Sequence, residues 1–198
     1  MSAAVSNAEV GPFHERDRAA VWEIVHDVVV EQETFPYEPT MTESEGRSTW
    51  VVGPPGRTTV AHAGGRVVGT ANTYANRRGP GNHIASGSFM VSRAARGCGV
   101  GRALVQDALT WAGSQGFAGM QFNAVVEGNT AAERLYADLG FVTIGTVPGA
   151  FASPTRGRVG LHVLFRSLDM THHAHSDSRD QPDRPPRVSP TVLGRRVR

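Results

Sequence analysis

Between Arg96 and Arg102 the chain reads Arg-Gly-Cys-Gly-Val-Gly-Arg, a run whose residue types and spacing suit it to hold an anion. It follows His83 to Val91, which reads as a strand, and precedes Ala103, Leu104, Val105, Ala108, Leu109 and Trp111, which recur with helical period. A strand, a turn with glycines at 97, 99 and 101, and then a helix aim free backbone N–H groups of the first helical turn at one point. The positive end of the helix dipole strengthens their pull on a phosphate. Gly99 and Gly101 let the backbone approach such an anion in dihedrals closed to other residues, and the flanking Arg96 and Arg102 offer charge-assisted contacts. The same spacing also fits a plain glycine-rich strand-to-helix turn. A dinucleotide-binding fold fits less well, because its glycine motif belongs near the first strand and here three or four strands come first.

All 20 basic residues are Arg and none is Lys. A Schiff-base lysine, a lysine general base and a phosphate-loop lysine are therefore excluded, and any phosphate must be met by Arg or by backbone. The single cysteine, Cys98, excludes an internal disulfide framework and a cysteine-rich zinc site and fits a reducing compartment, with cytoplasm the expectation. Cys98 lies inside the turn, where its N–H is expected to face the ligand and its side chain to face away, so it is not read as a nucleophile. Gln121 and Asn123 alternate with Met120 and Phe122, so one face of a central strand carries amides. A buried amide needs partners: Asn123 either bonds a neighbouring strand or loop or faces a cleft and binds substrate.

These groups require elements to hold them. Ala20, Val21, Ile24, Val25, Val28 and Val29 predict an amphipathic first helix within 13–32, which ends before Thr34-Phe35-Pro36-Tyr37-Glu38-Pro39, where the prolines stop it. Thr58 to Ala63 and Val67 to Tyr74, joined by Gly64-Gly65, predict a hairpin. Met120 to Val126 reads as a strand, Asn129 to Leu139 as a helix, and Phe141 to Val147 and Val159 to Phe165 as strands.

The length of 198 residues, 39% of them hydrophobic, suffices for one domain with a sizeable core. Up to Leu168 there are 14 Arg against 14 Asp and Glu, so the net charge of +2 belongs to residues 169–198 and does not indicate a nucleic-acid partner for the folded part. A domain over 1–168 and a disordered tail over 169–198, rich in His, Ser, Asp, Pro and Arg, are expected. The tail histidines 172, 173 and 175 are read as inert, no metal is expected, and no apolar run approaches a membrane span or a signal segment.

Asn129-Thr130-Ala131-Ala132-Glu133-Arg134-Leu135-Tyr136-Ala137-Asp138-Leu139-Gly140-Phe141 completes the pattern. Together with the Arg96–Gly101 run, this segment resembles the GNAT superfamily of acyl-CoA-dependent N-acetyltransferases over about residues 7–168, as an RxxGxG turn followed by NxxAxxLYxxLGF. The resemblance implies an α/β (α+β) fold: a mixed, mostly antiparallel sheet, helices on both faces, and fourth and fifth strands splayed apart to receive acetyl-CoA. It implies that Phe89, Met90 and Val91 offer backbone groups to the pantetheine arm. Arg96, Gly97, Cys98, Gly99, Val100, Gly101 and Arg102 would surround the pyrophosphate, Asn129 would touch the co-substrate, and Tyr136 would be the general acid. Asn129 also suits a helix N-cap, and Tyr136 an ordinary half-buried aromatic.

The resemblance further implies direct transfer of an acetyl group to a neutral amine, with a backbone N–H near Met90 or Val91 stabilising the oxyanion and Tyr136 protonating the leaving thiolate. The fourth strand, His83-Ile84-Ala85-Ser86-Gly87-Ser88-Phe89, lacks the Glu many members carry there. His83, Glu31, Glu33 and Glu127 are the candidate bases, or the amine arrives deprotonated. The segments 121–129, 145–151 and 159–163 look like the subgroup that acetylates proline analogues and other small amines. That suggests an amine or amino-acid acceptor, with Glu33, Thr34, Phe35 and Tyr37 as pocket wall and Asn123 as a contact. Members are often dimers, so a homodimer is the expectation.

Overall fold

The computed structural model describes residues 8–168. In chain order its elements are β1 (Glu9–Pro12), α1 (Arg18–Glu31), α2 (Glu43–Trp50), β2 (Arg57–Ala63), β3 (Arg66–Ala75), β4 (Ile84–Val91), α3 (Val100–Ser114), β5 (Gly119–Val126), α4 (Thr130–Asp138), β6 (Val142–Ser153) and β7 (Gly157–Ser167). The tail expected to be disordered, 169–198, lies outside the described residues.

The seven strands form one sheet in the order β1-β2-β3-β4-β5-β7-β6, with every neighbour antiparallel except β4 and β5, which run parallel. Gly64 and Gly65 take φ of 55° and 75°. That left-handed pair is what a two-residue hairpin turn needs to match strand twist, and it sets the β2–β3 register that ends at Ala63↔Arg66. On one face, Val21, Ile24, Val25, Val28 and Val29 of α1 pack with Trp50, Val60 and Met90, each buried aliphatic contributing about 1.5–3 kcal/mol of transfer free energy. On the other, Val105, Ala108, Leu109 and Ala112 of α3 pack with Met120, Phe122, Phe141 and Leu164.

α2 was not foreseen. Its window, Glu43 to Trp50, has one large apolar residue, and its start is set by a capping box: Thr42 Oγ1 accepts from Glu45 N–H while Glu45 Oε2 accepts from Thr42 N–H. Its end is bolted by Trp50, 1% exposed, whose Nε1 donates to Thr70 Oγ1 at 3.0 Å while Asn72 Nδ2 donates to Trp50 O at 3.1 Å. Among the described residues no helix is long and apolar enough to cross a membrane.

Candidate active site

β4 and β5 pair only at Ile84↔Gly119 and Ala85↔Met120 and then part. The cause lies in β5, whose register against β7 shifts between Phe122 and Val125, so Asn123 and Ala124 form a bulge. A bulge bends its strand and raises its twist. The Phe89 and Phe122 rings meet edge to face with centroids 5.6 Å apart at this divergence.

The register of β4 decides which of its backbone groups face the gap. Asn76 N–H donates to Ile84 O at 2.7 Å and Ser92 N–H to Val68 O at 2.9 Å. With Asn72↔Ser88 and Thr70↔Met90 between them, the pairs bonded to β3 fall on even-numbered β4 residues, because such pairs alternate. The backbone groups of Gly87, Phe89 and Val91 therefore turn toward β5 and the opening. Met90 departs from its expected role: its backbone belongs to the ladder and its side chain, 1% exposed, to the α1 core.

At the wide end of the gap, Gly97 and Gly99 stand at φ 77° and 82°. A Cβ on either would meet nothing within 4 Å, so the space before the turn is open. Gly101 has no positive φ, and a Cβ there would meet Leu135 Cδ2 at 3.4 Å and Val91 Cγ2 at 3.8 Å, in van der Waals contact. The N–H groups of Gly97, Gly99, Val100, Gly101 and Arg102 have no hydrogen-bond partner among the described residues, and no side chain caps α3. Cys98 departs from expectation, since its N–H donates to Ala95 O at 3.2 Å and is spent within the turn. Partnerless N–H groups at the N-terminus of a 15-residue helix suit a diphosphate.

Both flanking arginines are paired. Arg96 Nη2 lies 2.9 Å from Glu31 Oε2, Arg93 Nη2 lies 2.6 Å from Glu31 Oε1, and Arg102 Nη2 lies 2.6 Å from Asp138 Oδ2. Burial would raise the Glu31 carboxyl, but hydrogen bonds and charge from Arg96 and Arg93 outweigh it and hold the group below the usual carboxylate range.

α4 borders the gap from the other side. It has no fully buried residue, and its inner face, Ala132, Leu135, Tyr136 and Leu139, is only half-buried. Asn129 caps the helix, its Oδ1 accepting from Ala132 N–H at 3.4 Å, which leaves its Nδ2 without a partner among the described residues. Tyr136 packs against the stacked pair Phe122 (4.7 Å between centroids) and Phe141 (5.8 Å). Its hydroxyl makes no hydrogen bond among the described residues, and the side chain is half-buried. The apolar surroundings push its ionisation well above the ordinary phenol value, so it stays protonated.

On the α1 face of the sheet the amides are not buried as foreseen. Asn123 is exposed and sits in a chain in which Gln121 Nε2 donates to Asn123 Oδ1 at 2.8 Å and Asn123 Nδ2 to Asn76 Oδ1 at 2.7 Å. Nothing local in the sequence marks Asn76, just past β3, as meeting β5. Phe35 stacks on Tyr37 (5.8 Å) and meets Trp50 edge to face (6.0 Å), which makes it an anchor of its loop on the core. Burial, with Tyr74 beside it, pushes the Tyr37 phenol up.

None of the four candidate bases stands free in the gap. Glu31 holds Arg93 and Arg96. Glu33 accepts from Ser153 Oγ at 2.6 Å and Thr155 Oγ1 at 2.7 Å, which keep its carboxyl below the usual range. Glu127 Oε2 accepts from Gly160 N–H at 2.8 Å. His83 sits at the closed end, where Ala118 N–H donates to its carbonyl at 2.9 Å, and its Nδ1 lies 3.1 Å from Pro80 O. Among the described residues no group of three or more His, Cys, Asp or Glu is placed to hold a metal ion.

A mixed sheet parted between the one parallel pair among the described residues, with an open N–H turn at the mouth of the gap, is the architecture of an acyltransferase of the GNAT fold. The model of the acetyltransferase (GNAT) family matches residues 22–141, and the chain belongs to that family as an N-acetyltransferase. Among solved structures it is similar to a GCN5-related N-acetyltransferase from Kribbella flavida, with 52% identity, 81% of this chain and 98% of that one covered, and a TM-score of 0.79. It is also similar to a putative phosphinothricin N-acetyltransferase, at 25% identity, 82% and 99% coverage and a TM-score of 0.73. A phosphinothricin acetyltransferase from Sinorhizobium meliloti, solved with acetyl-CoA, shares the fold at 24% identity, 81% and 88% coverage and a TM-score of 0.73. No curated protein matches the chain.

Proposed function

We propose that this chain transfers the acetyl group of acetyl-CoA to the amine of a small molecule, an amino acid among the candidates, by direct transfer in a ternary complex. The observation that carries the reading is the set of partnerless N–H groups at Gly97, Gly99, Val100, Gly101 and Arg102 beside the backbone edge of β4 at Phe89 and Val91. Acetyl-CoA supplies an activated thioester. The turn binds the diphosphate, Phe89 and Val91 bind the amides of the arm, and an N–H of the open edge stabilises the oxyanion. Asn129, through its Nδ2, is a further contact, and Tyr136 donates the proton to the departing thiolate.

A small acceptor is favoured over a protein N-terminus or lysine side chain by the α1 face of the gap. There Glu33 ties its loop to the β6–β7 turn, Phe35 and Tyr37 pack inward, and the exposed amide of Asn123, bonded to half-buried Asn76, takes the place of an open acidic groove. Acetyl-CoA consumption over a panel of amino acids, polyamines, aminoglycosides and peptides tests it. Turnover confined to peptides would move the assignment to protein acetylation, and CoA binding with no turnover on any amine would leave a binding domain.

With each candidate base engaged elsewhere, the acceptor reaches the thioester already neutral. Under subsaturating acceptor, the rate is expected to rise with pH along the acceptor's own amine titration, without a plateau near pH 6–7 of the kind a histidine base produces. No fall is expected before the ordinary phenol range, because the Tyr136 pKa is raised and the acid form persists there. A bell with a limb near neutrality would show that an enzyme group titrates.

The homodimer is proposed through β6. This edge strand exposes Val142 (59%), Ile144 (59%) and Val147 (54%) and has no charged residue from Val142 to Ser153. Lone edges are ordinarily guarded by charge, and an uncharged strand can pair with its own copy without like-charge cost. Light scattering at micromolar concentration is expected to give a dimer mass for the wild type and a monomer mass for Ile144→Asp. A monomeric wild type overturns it.

A further inference from the structure

We propose that Glu31-Gln32-Glu33 is a strap joining the two sides of the cleft, through which occupancy of the 96–102 turn by a diphosphate tightens the β6–β7 turn on the acceptor side. This rests on the reading of that turn as a diphosphate site. At one end of the strap, both carboxylate oxygens of Glu31 are used: Arg93 Nε and Nη2 donate to Oε1 at 3.2 and 2.6 Å, and Arg96 Nη2 donates to Oε2 at 2.9 Å. Both arginines belong to the β4–α3 connection that carries the turn. At the other end, Ser153 Oγ and Thr155 Oγ1 donate to Glu33 at 2.6 and 2.7 Å. The Arg156 guanidinium bridges the same loop to the residue that follows β5, Nη1 donating to Glu127 O at 2.6 Å and Nη2 to Glu33 O at 3.4 Å.

A single residue separates the two carboxylates. Gln32 is left-handed, φ 53°, the one non-glycine residue with positive φ among the described residues. Its N–H donates to Val29 O at 3.2 Å, closing the end of α1. A tether this short and this fixed passes displacement from one end to the other. Arg96 donates to Glu31 through Nη2 alone, so among the described residues its other N–H groups have no partner and can reach an anion. Once fixed between carboxylate and phosphate, Arg96 immobilises Glu31 and with it Glu33. Glu33 and Glu31 are thus positioning residues, and Glu33, expected as pocket wall, acts by holding the wall.

The far end has its own reporter. Arg156 N–H donates to Ser153 Oγ at 3.1 Å, and that hydroxyl donates to Glu33, so amide exchange across 153–157 reads the latch. Hydrogen–deuterium exchange of the full chain with and without CoA tests the strap. In the wild type, CoA is expected to slow exchange severalfold in both 97–103 and 153–157. In Glu31→Ala, resting exchange at 153–157 stays at the wild-type rate but no longer responds to CoA, while 97–103 still does. In Glu33→Ala, 153–157 exchanges faster at rest and is indifferent to CoA; Glu33→Gln, which keeps an acceptor oxygen for one of the two hydroxyls, restores part of the response. Slowing at 97–103 without slowing at 153–157 in the wild type overturns the strap and leaves the diphosphate site standing. Absence of slowing at 97–103 overturns the diphosphate site and the strap with it.

Discussion

Gly99→Val is expected to weaken CoA binding by at least about 100-fold while leaving the fold in place. Gly99 precedes α3 at φ 82°. A β-branched residue is a genuine outlier there, costing on the order of 1–3 kcal/mol if the conformation is kept. If the backbone relaxes instead, the N–H groups of Gly99, Val100 and Gly101 lose their common aim. Hydrogen bonds to a charged partner contribute about 1.5–3 kcal/mol each, so two misdirected donors suffice for the loss. Stability suffers less, because a Cβ at this position meets nothing within 4 Å. Gly101→Ala is the graded control: its φ is ordinary and its crowding is one methyl of Leu135 at 3.4 Å, so a loss of only a few-fold is expected. Calorimetry with CoA, beside thermal melts, measures both. An unchanged Kd in Gly99→Val would mean that the turn does not carry the anion.

That contrast between Gly99 and Gly101 shows where a single sequence stops being informative. Glycines at 97, 99 and 101 look equivalent as letters. The backbone separates them into two left-handed residues and one helical residue with room for a methyl, and it spends the N–H of Cys98 inside the turn. Local patterns were legible: the Gly64-Gly65 hairpin, the valine stripe of α1, and α4 from its Asn129 cap onward all follow from short-range rules. α2 has a local sign too, the Thr42–Glu45 box, but its polar window lacks the periodicity by which helices are usually found. Features that depend on pairing across the chain were not legible. Met90 turns from cleft to ladder through the parity of β4 against β3, Asn123 leaves the core because β5 bulges, and Glu33 meets Thr155 across 122 positions. Neither parity nor bulge has a letter of its own, and the expected order of elements survives both because it depends on neither.

Tyr136→Phe is expected to lower kcat by about 100-fold or more, within the range general acid catalysis supplies, with CoA affinity and thermal stability nearly unchanged. The separation is possible because the two parts of this side chain do different things. Its ring is held by Phe122 and Phe141, contacts that a phenylalanine keeps. Its hydroxyl donates to nothing among the described residues, so removing it forfeits no internal hydrogen bond and should cost well under about 1 kcal/mol. That hydroxyl is the one we propose gives its proton to the departing thiolate; burial raises its pKa, which keeps the acid form present until the pH is high. A thiolate with a lower pKa needs that proton less, so the defect should shrink with thioester donors of more acidic thiols. Steady-state kinetics with acetyl-CoA, and with a donor carrying a better leaving group, distinguish the roles. A uniform loss across donors would mark Tyr136 as a group that positions substrate, and a kcat within threefold of the wild type would return it to the ranks of packing aromatics.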